Sequence, residues 1–435
     1  MVRVRGMLVH RAAVIAVLGL LVLVVPEIAT AAPPPAPEPV AAYRVQGVDS
    51  PAARTAVLRQ GVDVLGGGRD YLEVRATPEQ AERLQASGLR LLPLPTLPAV
   101  PGLVAPGEFP VGYRGYHTYG TLTTELDSIA AARPDQVAVS SYGWSNEGRS
   151  LPLVKISNSV HTDQNEPEVL FSCAQHAREH LTVEMCLHIV RRLAEGYGTD
   201  PAITRLVNSR EIWVMPMANP DGAEYDISSG LFALWRKNRQ PTPENSETGT
   251  DLNRNWGTQW GCCGGSSTNP SSDTYRGTTP FSTLETAQLR DWVNSRVIGG
   301  AQQITAHIDF HRFSELVLWP YGFTTDDTGP GLNASDAAIF RRLGEAMADT
   351  NGYTAQQSSD LYITDGTVGD WMWAQHGIWS YTFEMYPTSQ TQGGFYPPET
   401  DIEREVKRNN AAVDLLLDYA DCVPRIVDAP CAAPR

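Results

Sequence analysis

After Gly112 the chain alternates short apolar runs with longer stretches of helical periodicity, and this pattern constrains the fold more than any other feature. Runs such as residues 169–171 have the length and composition of strands buried on both faces. Such a sheet needs helices on either side. The sequence therefore predicts the α/β class, with a mixed central β-sheet covered by helices on both faces. Further strands are predicted at residues 212–215, 304–310, 316–318 and 380–383, and helices at residues 181–195, 283–295 and 334–350.

A smaller unit with a different organisation precedes this region. Three short extended runs alternate with two helices, of which one begins at Ser50-Pro51 and the other at Thr77-Pro78, with Gln80 completing a capping box. This small α+β unit contains neither Cys nor His, and a proline-rich segment at residues 93–102 separates it from the larger domain. We interpret it as either a spacer domain or a removable pro-segment that covers a site.

The N-terminus has the pattern of a secretory signal peptide. Three arginines precede an apolar core at residues 12–25, and the small residues Ala29-Thr30-Ala31 follow it. The core is shorter than the ~20 residues that a spanning helix needs, so we predict cleavage and a secreted, extracellular protein. The predicted divisions are a signal peptide at residues 1–31, a proline-rich spacer at 32–41, the α+β unit at 42–103, the α/β domain at 104–421 and a C-terminal tail at 422–435.

Composition and charge exclude two classes of partner. The 435 residues include 34 Lys and Arg against 49 Asp and Glu, a formal net charge of −15. Nucleic acids and anionic membrane surfaces would be repelled by such a field. We therefore predict no nucleic-acid partner and no membrane partner.

Six cysteines in an exported chain favour disulfides. Cys422 and Cys431 lie beyond the last helical pattern, and we predict a bridge between them. The adjacent pair Cys262-Cys263 lies in a glycine-rich loop, where each thiol either pairs with its neighbour, pairs elsewhere or stays free. Two more positions are open to a bridge or to burial as small apolar side chains: Cys173 and Cys186.

The stretch "SCAQHAREHLTVE" places His176 and Glu179 three residues apart, at the point where a predicted strand meets a helix. This spacing can direct an imidazole nitrogen and a carboxylate at one metal ion, but it also suits an ordinary acidic helix start. Acids are 49 of 435 residues, so 9 histidines give about one such pair by chance. A metal site needs a third ligand. His311 is the candidate, because it ends the predicted strand "ITAHIDFH" and strand ends line the crevices of α/β folds. His307, four residues earlier, is interpreted as a core histidine.

Glu384 is a further candidate functional residue, because no structural role for a carboxylate is evident at its position. It follows the apolar run Tyr381-Thr382-Phe383, where an unpaired carboxylate is costly. The polar clusters "WRKNR", "DLNRNW" and "DLYITDG" add arginines, an amide and a phenol. Together these residues indicate a functional site.

Seven stretches, in order and spacing, resemble the metallocarboxypeptidases of the pancreatic carboxypeptidase A/B type, and especially their bacterial secreted relatives. The resemblance covers about residues 116–422, and the segment before it resembles the family's activation peptide. The stretches are "QHARE", "NPDG", "WRKNR", "DLNRNW", "FHRFSELVLWPYG", "DLYITDG" and "TFEMYP".

The resemblance implies a metal centre and a base. His176, Glu179 and His311 match the ligands of one Zn²⁺ per chain, with the fourth position left for water. Glu384 matches the general base, and Arg236 matches the residue that holds the developing oxyanion.

The resemblance also implies a set of substrate contacts. Asn253 and Arg254 match the pair that binds the substrate's terminal carboxylate, and Tyr362 matches a mobile phenol that closes over the bound residue. Arg178 matches a secondary carbonyl-binding arginine. Asp251 matches the carboxylate that orients His176.

The chain departs from the family pattern in places. Arg312 and Phe313 follow the third metal ligand, where the family has a small hydroxyl residue and a tyrosine, and Ala233 replaces an outer arginine. At the position that selects the C-terminal side chain the chain has Gly369 rather than an acid. We therefore predict apolar or aromatic C-terminal residues, with Asp365 the one feature that would admit basic ones.

The resulting hypothesis is a secreted zinc carboxypeptidase zymogen. Its partners would be peptides and proteins with a free C-terminal carboxylate and an activating protease, and the enzyme would be a monomer. Two alternatives are a same-fold amidohydrolase acting on cell-wall peptides and a catalytically inactive peptide-binding module. The intact metal ligands, Glu384 and the Asn253, Arg254 and Tyr362 set favour the carboxypeptidase.

Overall fold

The computed structural model describes residues 40–95, 105–242 and 249–431. The predicted signal peptide, most of the spacer and the last four residues lie outside these ranges. Within them, no helix combines the length and the apolar content that crossing a bilayer requires.

The N-terminal unit is a four-stranded antiparallel sheet with two helices, in the order βαββαβ. The caps predicted from sequence are present: Ser50 Oγ accepts from Ala53 N, and the side chains of Thr77 and Gln80 each bond the other's backbone amide. The sequence reading missed the second strand, because its "DVLGG" run is short and rich in glycine. The elements are β1 (Ala41–Gln46), α1 (Pro51–Leu58), β2 (Asp63–Gly67), β3 (Tyr71–Ala76), α2 (Pro78–Ala86) and β4 (Arg90–Pro93), and the sheet order is β2-β3-β1-β4.

The remaining described residues form the predicted α/β domain. Its strands are β5 (Val137–Trp144), β6 (Ser150–Ile156), β7 (Glu168–Cys173), β8 (Glu211–Met215), β9 (Val297–Ile298), β10 (Ala301–Gln302), β11 (Ile304–Arg312), β12 (Leu316–Trp319), β13 (Thr354–Gln357) and β14 (Trp379–Met385). Its helices are α3 (Tyr119–Ala132), α4 (His180–Gly196), α5 (Pro201–Val207), α6 (Pro220–Asp226), α7 (Leu284–Ser295), α8 (Ala334–Asn351), α9 (Ser358–Leu361), α10 (Val368–His376), α11 (Ile402–Arg408) and α12 (Asn410–Tyr419).

Eight of these strands form one mixed sheet in the order β13-β12-β14-β11-β7-β8-β6-β5. The central strands β14, β11, β7 and β8 are parallel, whereas β12 runs against β14 and β6 against β8. The predicted fold class is therefore confirmed. Since β7, β11 and β14 are neighbours, their carboxyl ends meet at one edge of the sheet, where crevices form in α/β folds.

The apolar side chains of the central strands pack against one another in the core. Phe171, Phe310 and Phe383 come from three adjacent strands and pack with ring centroids 6.3 and 5.5 Å apart. Helix α4 is buried along most of its length. Strand β5 was not predicted, because Ser140 and Ser141 are exposed at the sheet edge and interrupt its apolar pattern.

All six cysteines are paired. The predicted Cys422–Cys431 bridge is confirmed, with Cα atoms 5.3 Å apart. The open questions are settled by two further bridges, one between the neighbours Cys262–Cys263 and one between Cys173–Cys186, which ties β7 to α4.

Candidate active site

His176, Glu179 and His311 converge at the carboxyl ends of β7 and β11. His176 lies in the turn after β7, Glu179 precedes the first residue of α4, and His311 is near the end of β11. Their ligand atoms all lie within 4.8 Å of one another, and all three residues are buried. His176 Nδ1 is 3.0 Å from His311 Nδ1 and 2.8 Å from Glu179 Oε1, so the ring nitrogens face one common point.

The opposite nitrogen of each imidazole contacts a buried carboxylate. His176 Nε2 lies 3.1 Å from Asp251 Oδ1, the contact expected of Asp251. His311 Nε2 lies 2.5 Å from Asp309 Oδ2, whose other oxygen accepts from Ser172 Oγ. A carboxylate at Nε2 keeps the proton there and leaves Nδ1 free as a ligand. Sequence reasoning missed Asp309, although its position two residues before His311 places both side chains on one face of the strand.

Electrostatics favour the ionised acids of this cluster. Burial alone raises the pKa of Glu179, but the facing imidazoles of His176 and His311 lower it below its ordinary value. Burial likewise opposes ionisation of Asp251, while the charges of Arg236 and His176 lower its pKa. Both carboxylates are therefore ionised: Glu179 can act as a metal ligand, and Asp251 can hold the imidazole of His176 in place.

The three converging residues fit zinc. Two imidazole nitrogens and one carboxylate are the ligand types of a catalytic zinc site with three protein ligands. The two Nδ1 atoms approach within 3.0 Å, a geometry that a shared cation relieves. Both imidazoles also have the carboxylate partners that metal-bound histidines usually have.

Glu384 lies beside this centre on β14, where it is paired in register with His311. It lines the same cavity as the three converging residues. Loss of solvation raises the pKa of Glu384 to about 7, against the attraction of His311. A carboxylate with a raised pKa in a cleft is suited to accepting and returning a proton.

The residues expected to contact substrate surround the same cavity, with one exception. Arg236, Asn253, Arg254 and Tyr362 all line it. Arg178 does not line it: the side chain is fully buried and binds Asp63 of the N-terminal unit through two hydrogen bonds of 2.7 and 2.9 Å.

Arg236, Asn253 and Arg254 are each held by the surrounding backbone or by an acid. Arg236 Nε donates to Asp251 Oδ2 at 3.0 Å. Asn253 Oδ1 accepts from Val368 N at 2.9 Å, and Arg254 Nη1 donates to the Asn253 carbonyl at 2.7 Å. These contacts fix the side chains before any ligand arrives, which lowers the entropic cost of binding.

Around Gly369, where the resemblance predicts the pocket for the C-terminal side chain, the cavity is lined by small polar residues. A side chain at Gly369 would make only ordinary contacts with Ser380 and Thr382, so the glycine leaves room there. Asp370 also lines the cavity and was missed from sequence; burial raises its pKa to about 7 and it accepts from Gly322 N. Thr364 and Thr367 also line the cavity.

Asp365, His180 and His307 each have structural partners. Asp365 is fully buried and its carboxylate accepts four hydrogen bonds from residues 261–266, so it is not available to a basic side chain. His180 Nε2 contacts Asp226 at 2.9 Å, away from the metal centre. His307 is buried between Ser172 and Ser380, and burial lowers its pKa to about 4, as suits a core histidine.

The departures from the family pattern are also located. The Arg312 guanidinium is buried and donates to the carbonyls of Gly394 and Phe395. Phe313 packs edge-on against Phe395, with ring centroids 5.0 Å apart. Both residues line the cavity.

Comparisons with known proteins agree with this geometry. The family model described as "Zinc carboxypeptidase" matches residues 122–412. A zinc carboxypeptidase of Saccharothrix mutabilis subsp. capreolus is 50% identical over 392 residues, which are 88% of this chain and 89% of that protein. Mouse carboxypeptidase A2 is 31% identical, over 67% of this chain and 66% of its own.

A solved structure shows the same fold. The carboxypeptidase A of Helicoverpa armigera superposes with a TM-score of 0.72 at 24% identity, over 90% of this chain and 98% of that one. The metal-type cluster, the cavity and the sequence match lead to one assignment. The chain belongs to the zinc carboxypeptidase family and is a metallocarboxypeptidase.

Proposed function

We propose that the chain is a secreted zinc carboxypeptidase, made as a zymogen, that hydrolyses the C-terminal peptide bond of peptides and proteins. The observation that carries the proposal is that one cavity is lined by a metal-type cluster, a carboxylate of raised pKa and the arginines Arg236 and Arg254. His176, Glu179 and His311 would hold one Zn²⁺ per chain. When bound, zinc polarises a carbonyl and lowers the pKa of a water molecule.

Glu384 is the proposed general base. With its pKa raised toward neutrality, the carboxylate takes a proton from the attacking water and returns it to the leaving amine. Arg236 stabilises the oxyanion that develops on the scissile carbonyl. Since its Nε is bound to Asp251, the guanidinium is already oriented when substrate binds.

Asn253 and Arg254 are the proposed contacts of the substrate's terminal carboxylate. A planar guanidinium pairs with a planar carboxylate through parallel hydrogen bonds, which confines cleavage to a chain end. Tyr362 closes the cavity over the bound residue, and Arg178 contacts a substrate carbonyl once Asp63 has been removed.

Peptides with a blocked C-terminus test the exopeptidase assignment. We expect the activated enzyme to hydrolyse a peptide with a free C-terminal carboxylate and to lose at least about 100-fold in kcat/KM on the matching C-terminal amide, because Arg254 then lacks its anionic partner. The measurement is release of the C-terminal residue from the two peptides. Equal rates would favour an amidohydrolase of broader substrate range.

The C-terminal side chain is expected to be apolar or aromatic. Gly369 leaves space, the hydroxyls nearby are neutral, and Asp365 is bound to its own loop. Burial favours the neutral form of Asp370, so it offers a weak partner for a cation. Kinetics on four peptides that end in Phe, Leu, Lys and Arg check this expectation. A clear preference for Lys and Arg would contradict it.

The N-terminal unit is the proposed pro-segment. Val64, Leu65 and Gly66 of β2 line the cavity together with the metal-type cluster, so this strand covers the cleft. Its Asp63 pairs with Arg178, and its apolar core includes Leu361 next to Tyr362. We propose that residues 42–103 are an inhibitory activation segment.

Release of this segment would require an activating protease. A cut before residue 116 would separate residues 42–103 from the catalytic domain at 104–421 and expose the cleft. The signal-like N-terminus and three disulfides support an oxidising, extracellular location, and we propose that the enzyme acts there as a monomer.

A further inference from the structure

The loop of residues 261–266 is folded around one buried carboxylate. Asp365 Oδ2 accepts from Gly265 N at 2.8 Å and from Cys263 N at 3.3 Å. Its Oδ1 accepts from Gly261 N at 3.3 Å and from the Ser266 hydroxyl. Four donors from a six-residue stretch thus converge on one side chain, which is fully buried. The carboxylate therefore holds the conformation of the whole 261–266 loop.

The same loop contacts the proposed carboxylate-binding arginine. The Gly265 carbonyl accepts from Arg254 Nε at 3.1 Å, while Arg254 Nη1 donates to the Asn253 carbonyl at 2.7 Å. Among the described residues, none accepts a hydrogen bond from Arg254 Nη2. The guanidinium is therefore held through Nε and Nη1, and Nη2 is left for a ligand in the cavity that Arg254 lines.

The loop has little freedom to move away from this position. A Cβ atom added to Gly265 would lie 2.4 Å from Thr364 Cα and 2.6 Å from the Ile363 carbonyl oxygen, so the two backbones are in direct contact. The neighbouring Cys262–Cys263 bridge restricts the loop further. A shift of the Asp365 carboxylate would thus be transmitted to the Gly265 carbonyl.

We propose that Asp365 is a positioning residue, which sets the Gly265 carbonyl and through it directs the Arg254 guanidinium at the substrate's terminal carboxylate. This inference rests on the proposed role of Arg254. Asparagine cannot replace the acid here, because its amide nitrogen would face N–H donors and leave buried groups unsatisfied. The loop would then relax, and Arg254 would lose the constraint that the Gly265 carbonyl places on its Nε.

The test compares Asp365→Asn, Arg254→Ala and the double variant. Each is made as the zinc-loaded full-length chain, activated by limited proteolysis, and assayed on one peptide with a free C-terminal carboxylate. We expect Asp365→Asn to raise KM about tenfold with a small change in kcat, as for the loss of one charge-assisted hydrogen bond. We expect the double variant to have the KM of Arg254→Ala alone, since residues that act through one another are not additive.

Glu211→Gln is the matched control. Glu211 is another buried carboxylate that binds a loop amide, Gln164 N, at 2.8 Å, but it lies at the start of β8, the end of the sheet opposite the cavity. The Glu211→Gln substitution should lower the melting temperature without raising KM. If Asp365→Asn does not accumulate as folded protein, Ser266→Ala removes one of the four donors and should raise KM by about two- to threefold.

Three results would overturn the inference. An unchanged KM in Asp365→Asn, with a raised KM in Arg254→Ala, refutes the positioning role and leaves the proposed function intact. Additive effects in the double variant show that Asp365 acts on general stability instead. An unchanged KM in Arg254→Ala refutes both the proposed carboxylate contact and the role that depends on it.

Discussion

Glu384→Gln is expected to lower kcat by roughly 10³-fold while the protein keeps about one zinc per chain. Glutamine has the size of glutamate but cannot accept a proton from water at neutral pH, and general-base catalysis typically contributes 10²–10⁴-fold. Glu384 is outside the cluster of His176, Glu179 and His311, so its loss leaves the metal ligands in place. Single-turnover hydrolysis and metal analysis of the same sample measure both quantities.

Two further measurements separate loss of the base from loss of the site. A product-like ligand with a free carboxylate should bind Glu384→Gln about as tightly as the parent enzyme, because Asn253 and Arg254 are unchanged. His311→Ala should instead lose zinc and activity together, since it removes one of three ligands. Substantial turnover by Glu384→Gln with its zinc retained would rule out Glu384 as the base.

The apolar strands could be predicted from a local pattern, and the metal-type cluster from the position of its histidines at the ends of such strands. Buried parallel strands are continuous apolar runs, and the carboxyl ends of neighbouring strands meet in space. His176 and His311 could therefore be placed close together from the sequence. Glu384 was recognised from the cost of a carboxylate inside an apolar run.

Other features depend on contacts between residues far apart in the chain. The pairing of Arg178 with Asp63 joins the α/β domain to the N-terminal unit over a sequence distance of 115 residues, and no local pattern encodes it. Asp365 was the one acid expected to admit basic side chains, but the 261–266 loop surrounds its carboxylate. Strand β2 was missed because glycines lower strand propensity and tertiary packing overrides it.

Those same glycines explain how β2 fits over the cleft. A Cβ atom at Gly66 would come within 2.8 Å of the Phe313 ring and within 2.9 Å of Ser314 Oγ. Gly67 N donates to Ser314 Oγ at 3.0 Å, just beyond the residues that follow His311. The absence of side chains therefore lets the backbone of the N-terminal unit approach the wall of the cavity.

The N-terminal unit also contacts the segment that bears Tyr362. Arg54 Nε donates to the Leu361 carbonyl at 2.7 Å, and Thr55 Oγ1 accepts from Ile363 N at 3.0 Å. These bonds bracket the tyrosine on both sides. A phenol that must move to close over substrate would be restrained by them.

Removal of the N-terminal unit is expected to raise peptidase activity by at least about 100-fold. The reason is that β2 covers the cleft and that Asp63 is paired with Arg178. The experiment compares zinc-loaded full-length protein with the form that limited proteolysis produces, starting between residues 104 and 116. Both forms should contain the same amount of zinc. Equal kcat/KM values for the two forms would show that the unit is not inhibitory.

Asp63→Asn separates the ion pair from simple covering of the cleft. Its carboxylate binds Arg178 through two hydrogen bonds, and removing one partner of a buried pair leaves the other charge uncompensated, at a cost of about 3–5 kcal/mol. Part of this cost destabilises the form in which the N-terminal unit covers the cleft. The residual activity of the uncleaved variant should therefore be about tenfold or more above that of the uncleaved parent. Glu79→Gln is the control, since Glu79 pairs with Arg83 on the exposed face of α2 and should leave residual activity unchanged. If both variants stay as inactive as the parent until cleavage, inhibition comes from covering by β2 and not from the Asp63 pair.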